Sequence, residues 1–143
     1  MAKRFDDLKE EVWRHFKDFQ HIFLATSEGD QPRVRPVTLF YFDGRFWVLT
    51  GTNNAKTKQI RKNPRIEFCL LLERGENRGY IRGAGLAQIV KDRETRARVA
   101  EHCDFFSEFW KSSEDPDYTL IQLQLTEIEY LRPDETAAQK ITL

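Results

Sequence analysis

The sequence predicts a mainly β domain that also contains helices. Residues 34–42 and 45–49 are rich in aromatic and β-branched side chains, and they flank the pair Asp43-Gly44. Asp and Gly tolerate the positive φ of a tight hairpin turn, so this stretch is expected to form a β-hairpin. Residues 118–125 alternate between two faces, which is typical of a strand with one buried side.

Apolar periodicity and turn residues predict the remaining elements. Apolar side chains at three- and four-residue steps indicate an amphipathic helix over residues 4–19. Asn63-Pro64 stops a short helix over residues 55–62, and Asp92 caps another over residues 92–103. The tail, residues 134–143, is expected to be mobile. Further strands are predicted at residues 21–27, 65–72, 80–91 and 128–131.

Length, charge and composition limit the possible classes of protein. A chain of 143 residues is expected to form a single domain, residues 1–143. Its 23 basic and 23 acidic residues cancel, which argues against a general nucleic-acid or membrane surface. Two cysteines, a charged N-terminus and no long apolar run favour a cytoplasmic protein. The aromatic content of 13% exceeds what a small core needs, which favours a subunit interface.

The segment after the hairpin has the pattern of an anion site. Small polar residues 50–54 lead from a strand into the helix at residues 55–62. The first turn of a helix has unpaired N–H groups and a partial positive charge, so it binds phosphate readily. Lys56 lies in that turn, and Thr50 and Asn54 can add hydrogen bonds. Because strand side chains alternate, Arg33 and Arg35 are expected to share one face and reach the same anion.

Other candidate residues have two interpretations each. Pro36 cannot donate to a ladder, so its strand is expected to be an edge or bulged there. Gly83 and Gly85 permit either a barrel corner or a close approach by a cofactor. The cluster of aromatic residues 105–110 suits either subunit packing or stacking on a planar ring. No spaced set of metal ligands is present.

The chain resembles the FMN-binding split β-barrels related to pyridoxamine 5′-phosphate oxidase, and its length is similar to that of the short, general stress-type members. The matching stretches are RVRPV at residues 33–37, VLTGTNNAKTKQI at 48–60 and NPRI at 63–66. The resemblance implies a six-stranded antiparallel split β-barrel with flanking helices. It also implies a homodimer that binds one FMN in each of two clefts at the subunit interface.

The resemblance also implies a set of cofactor-binding residues. The strand holding residues 33–38 would lie along the isoalloxazine ring, and Leu49, Thr50 and Lys56 would lie near the phosphate. Trp110 would reach the flavin from the second subunit. Ala55 stands where relatives often carry Arg. The complete set is Arg33, Val34, Arg35, Pro36, Val37, Thr38, Leu49, Thr50, Asn54, Lys56, Thr57, Arg78 and Trp110.

The expected function is that of an FMN-dependent oxidoreductase with an unknown substrate and no assigned catalytic residue. The oxidases that give the family its name carry an Arg- and Ser-rich substrate segment and a C-terminal Arg and His. Here the corresponding segment is short, and the tail beyond Arg132 has neither an Arg nor a His. We therefore do not expect this chain to have the substrate site of those oxidases. Two alternatives stand: a non-catalytic protein that binds flavin, haem or deazaflavin, and an interaction domain without ligand whose basic residues form a solvated edge.

Overall fold

A computed structural model describes the backbone of residues 2–143 and the side-chain environments of residues 6–143. Strands dominate the structure. Its elements, in chain order, are α1 (Ala2–Trp13), β1 (Phe19–Glu28), β2 (Gln31–Phe42), β3 (Arg45–Gly51), α2 (Ala55–Lys62), β4 (Arg65–Arg74), β5 (Asn77–Val90), α3 (Arg93–His102), α4 (Phe106–Phe109), β6 (Tyr118–Leu131) and β7 (Gln139–Thr142).

The strands close into an antiparallel ring. They lie in the order β3-β2-β1-β4-β5-β6, and a further pairing of β3 with β6 completes the circle. This confirms the prediction of a mainly β, six-stranded antiparallel barrel. Two of the strand pairings are short: β1 pairs with β4 only over residues 23–25, and β2 pairs with β3 only over residues 40–42. No helix among residues 2–143 is long and apolar enough to cross a membrane.

Alternation along the strands creates two hydrophobic clusters on opposite sides of the barrel wall. One fills the barrel and includes Leu24, Leu39 and Phe68. The other lies outside, where α3 and α4 cover β2, β3 and β6; Trp47 and Leu120 are fully buried there. The second cluster uses much of the aromatic surplus within the chain itself.

The first helix is shorter than predicted. It ends at Trp13 rather than near residue 19. Gln20 stabilises the turn that follows, since its Nε2 donates to the carbonyl of His15 (2.9 Å) and its Oε1 accepts from the amide of Lys17 (2.8 Å). Phe19 then begins β1 and stacks on a neighbouring strand. The periodic apolar residues therefore continue past the helix because turn and strand bury them too.

The C-terminal part of the chain also differs from expectation. The strands predicted at residues 118–125 and 128–131 are one strand, β6, which carries its extra residue, Thr126, at a bulge opposite Ala84 and Gly85. Gly85 allows this close approach, because a Cβ there would lie 2.0 Å from the carbonyl oxygen of Gln124. The tail expected to be mobile contains β7, which pairs with β6 and buries Ile141.

A charged clamp attaches α1 to the barrel. The Glu11 carboxylate accepts from Arg132 Nε (2.6 Å) and Nη2 (2.9 Å) and from the Tyr130 hydroxyl (2.5 Å). The hydrogen bond from Arg132 is the main reason that the pKa of Glu11 falls from 4.5 to about 2. Burial raises the pKa of Tyr130 to about 12, with Glu11 adding to the shift. The clamp therefore holds the charged carboxylate against β6.

We expect Glu11→Gln to lower the free energy of unfolding at neutral pH by about 1–2 kcal/mol, a value reduced for partial solvent exposure. An acid with a lowered folded pKa stabilises the protein fully above its ordinary pKa, so this contribution is lost as pH falls from 4.5 towards 2. Urea unfolding at several pH values measures it. The control is Glu10→Gln, which removes an exposed ion pair of 3.6 Å to Arg14. Equal losses in both variants would contradict the clamp.

The two buried tryptophans of the outer cluster offer a matched comparison. Trp47 Nε1 donates to the carbonyl of Phe42 (3.0 Å), whereas the buried Trp110 Nε1 has no partner among the described residues. We expect Trp47→Phe to cost about 1–3 kcal/mol more unfolding free energy than Trp110→Phe, because only the first leaves an acceptor unpaired. Urea unfolding of the ligand-free protein measures both. A larger loss for Trp110→Phe would contradict this assignment.

Candidate functional site

A cleft opens where β2 and β3 separate. The strands pair only near their turn, after which β3 follows β6 over residues 46–51. The segments on either side of the gap, residues 36–38 and 48–51, form two walls of a cleft of about 340 Å³. Its lining is Pro36, Val37, Thr38, Val48, Leu49, Thr50, Gly51, Asn54, Lys56, Phe105, Glu108, Phe109 and Trp110.

One end of the cleft is polar and lies at the start of α2. Thr50 Oγ1 accepts from Lys56 Nζ (2.7 Å) and from Asn54 Nδ2 (2.8 Å). Thr57, which is fully buried, fixes the turn by donating to the carbonyl of Gly51 (2.9 Å). Asn54 occupies the N-cap position but makes no side-chain cap bond. The first turn of α2 therefore offers N–H groups to a ligand.

Lys56 is the principal charge of this end. It is half-buried, and no described carboxylate forms an ion pair with it. Burial lowers the pKa of Lys56, and the nearby charge of Arg35 lowers it further. A bound anion would relieve both effects, because it supplies the missing opposite charge. The polar end therefore suits a phosphate better than a neutral group.

The other end of the cleft is apolar and aromatic. Pro36, Val37 and Leu49 come from the two walls, and residues 105–110 approach with α4. The side chain of Phe109 is 65% exposed at the rim, whereas Trp110 is buried against Phe106 and Tyr118. Flat apolar walls of this kind suit a planar ring.

The structure brings together eight of the thirteen predicted site residues. Those that line the cleft are Pro36, Val37, Thr38, Leu49, Thr50, Asn54, Lys56 and Trp110. Trp110 does so within its own chain, whereas the resemblance implied a contribution from the second subunit. Sequence reasoning did not assign five further lining residues to the site: Val48, Gly51, Phe105, Glu108 and Phe109. Of these, only Phe105 and Phe109 were indicated by the sequence, as members of the aromatic cluster at residues 105–110.

The other five predicted residues do not line the cleft. Thr57 lies beneath the turn, and Val34 is 68% exposed on the outer face of β2. Arg33 pairs with Glu28 (2.8 Å), and Arg78 pairs with Glu73 (3.3 Å).

Arg35 turns away from the cleft lining. Its guanidinium donates to the carbonyl of Leu24 (3.1 Å), to Thr26 Oγ1 (2.8 Å) and to Gln59 Oε1 (2.8 Å). It therefore lies between β1 and α2. Its charge still acts on the polar end, where it adds to the effect of burial in lowering the pKa of Lys56.

Comparison with known proteins identifies relatives across most of the chain. Residues 8–132 match the family model described as pyridoxamine 5′-phosphate oxidase. A pyridoxine/pyridoxamine 5′-phosphate oxidase from Vesicomyosocius okutanii is 27% identical over 112 residues, which are 75% of this chain and 53% of that protein. The chain thus spans about half the length of that relative. General stress protein 26 from Bacillus anthracis superposes with a TM-score of 0.75 at 26% identity, covering 95% of this chain and 98% of that one.

Two more distant solved structures share the fold. One is a pyridoxamine 5′-phosphate oxidase-related, FMN-binding protein from Nostoc punctiforme (TM-score 0.65, 16% identity, 86% of each chain). The other is a heme-binding protein from Mycobacterium smegmatis (TM-score 0.72, 14% identity, 87% of this chain and 53% of that one). Both likenesses concern the fold alone. The family match over residues 8–132 covers most of the sequence, and this chain therefore belongs to the pyridoxamine 5′-phosphate oxidase family.

Proposed function

We propose that the cleft binds FMN and that the protein is a flavin-dependent oxidoreductase. One observation carries this proposal. At one end of an apolar cleft, Lys56, which forms no ion pair with a described residue, lies beside the first turn of α2, which has no side-chain cap. Family membership supports it, as does the shared fold with a protein described as FMN-binding.

The residues present fit the two ends of FMN. The dianionic phosphate matches the Lys56 ammonium, the Asn54 amide and the free N–H groups of α2. The ring matches the wall of Pro36 and Leu49 and the aromatic side of Phe109 and Trp110. A volume of about 340 Å³ falls within the usual range of small-molecule pockets. With Ala55 beside it rather than a basic residue, Lys56 is the one cation among the residues that line the cleft.

Bound FMN would supply the electron chemistry, and the chain would bind and orient it. Thr50 holds Lys56 in position through the 2.7 Å hydrogen bond. Phe109, at the open rim, is placed to limit access of water to the apolar end. Glu108 supplies the one carboxylate among the lining residues, and we assign it no proton transfer.

Haem is a weaker candidate for this cleft. Haem iron is normally held by His, Cys, Met or Tyr. The cleft lining contains none of these residue types. The residues that line the cleft therefore offer haem iron none of its usual protein ligands.

The proposal is tested by adding FMN to the purified protein, removing the excess by gel filtration and recording the visible spectrum. We expect a retained flavin spectrum and a loss of FMN affinity of about 1–3 kcal/mol in Lys56→Ala, the scale of a hydrogen bond to a charged group. Riboflavin, which lacks the phosphate, should bind both proteins alike. Lys91→Ala, an exposed lysine elsewhere, is the control. Equal weakening of FMN and riboflavin would contradict the phosphate assignment.

We also infer that a second copy of the chain covers the outer face of the barrel beside the cleft. Exposed apolar side chains gather there: Val34 on β2 (68% exposed), Phe23 on β1 (44%) and Leu71 on β4 (54%). Phe23 pairs with the cleft residue Pro36 on one side and with Cys69 on the other. The apolar patch thus borders the cleft, and covering it would enclose the bound ring.

Light scattering after size-exclusion chromatography tests this inference. We expect the native protein to elute with twice the mass of the chain. Val34→Glu places a charge in the patch, so it should shift the equilibrium towards monomer and weaken FMN. Gln139→Glu adds the same charge on β7 and should leave the mass unchanged. A native monomer that retains FMN tightly would overturn the inference.

A further inference from the structure

A second groove lies on the other side of the first turn of α2. It has a volume of about 560 Å³ and lies between the turn joining β1 to β2, at residues 27–29, and the helix face that carries Lys58 and Lys62. Gln59, 93% buried in a fold where polar residues are mostly exposed, forms part of its floor. We call this space the helix groove.

The helix groove is positively charged. Lys58 and Lys62 are exposed, lie one helical turn apart and form no ion pair with a described residue. The single carboxylate of the lining, Glu28, already accepts from Arg33 at 2.8 Å. Lys62 also acts electrostatically on Glu28. This one carboxylate therefore faces Arg33 and both lysines, and an anionic ligand would offset the excess positive charge.

The helix groove and the cleft lie on either side of the first turn of α2. Asn54 and Lys56 line the cleft, whereas the alternate residues Asn53 and Ala55 line the groove. Arg35 lies between the two, since it donates to Gln59 in the groove (2.8 Å) and its charge acts on Lys56 in the cleft. A ligand whose phosphate sits at the first turn of α2 would therefore reach the groove by passing around that turn.

We propose that the helix groove binds an adenine nucleotide group, with one of its phosphates beside Lys58 and Lys62. This rests on the proposed function, because the cleft must hold the flavin whose phosphate lies at α2. The nucleotide group has two possible sources: the adenylate half of FAD, joined through its phosphate to the flavin phosphate, or a separate ADP that binds beside FMN. FAD would place its adenylate phosphate beside these lysines, and a separate ADP would place its terminal phosphate there.

The test compares binding of FMN, FAD and ADP to the native protein and to the double variant Lys58→Glu, Lys62→Glu. The control, Lys91→Glu with Lys140→Glu, makes the same change in net charge at exposed lysines outside the groove. We expect the double variant to weaken FAD, or ADP binding to the FMN-loaded protein, by about tenfold or more. FMN alone should change less than about threefold, since its phosphate contacts lie in the cleft.

The outcomes separate the two proposals. Selective weakening of FAD identifies the dinucleotide flavin, and selective weakening of ADP on the FMN-loaded protein identifies a separate nucleotide; either supports the groove. If FMN binds but the double variant weakens all ligands no more than the control does, the groove proposal is overturned and the cleft proposal stands. If no flavin binds the native protein, both proposals fail.

Discussion

The early separation of β2 from β3 is the constraint on which the rest of the structure depends. The hairpin pairs over residues 40–42, and β3 then continues along β6 rather than along its hairpin partner. This exchange closes the barrel. It also leaves residues 36–38 of β2 without a partner on that edge, so the gap becomes a cleft instead of a continuous sheet. Pro36 suits this edge, because it lacks the N–H that a paired strand would use.

The same separation positions the charges. Since β3 ends at Gly51, the chain turns at once into α2, and Thr50 at the end of the strand meets Lys56 in the first turn of the helix. Arg35 approaches from β2 and lies behind this turn. Basic groups thus surround the N-terminus of α2, and few carboxylates lie nearby to neutralise their charge. Burial of Lys56 without an ion pair is unfavourable in the free protein, and a bound phosphate would offset that cost.

Local patterns allowed much of the site to be predicted. The Asp-Gly turn, the polar residues 50–54 and the helix that follows are short-range features, and their chemistry determines their structure. Lys56 and Thr50 were identified for this reason. The resemblance added Trp110, but only the tertiary fold shows that this residue reaches the cleft of its own chain.

Other features depended on contacts that a single sequence does not display. Alternation placed Arg33 and Arg35 on one face, yet Glu28 and Gln59 determine where their guanidinium groups lie. The end of α1 depends on Gln20, which bonds to the turn after the helix, while the buried Phe16 and the partly buried Phe19 continue the apolar period. Strand β7 forms because β3 pairs only with residues 118–123 of β6. Residues 127–130 of β6 therefore remain available to pair with β7.

The most direct test of this account is a crystal structure of the protein with FMN bound. The account predicts phosphate oxygens within hydrogen-bond distance of Lys56 Nζ and of the N–H groups in the first turn of α2, with the ring between residues 36–38 and Trp110. A phosphate bound away from α2, or a flavin outside the cleft, would contradict it.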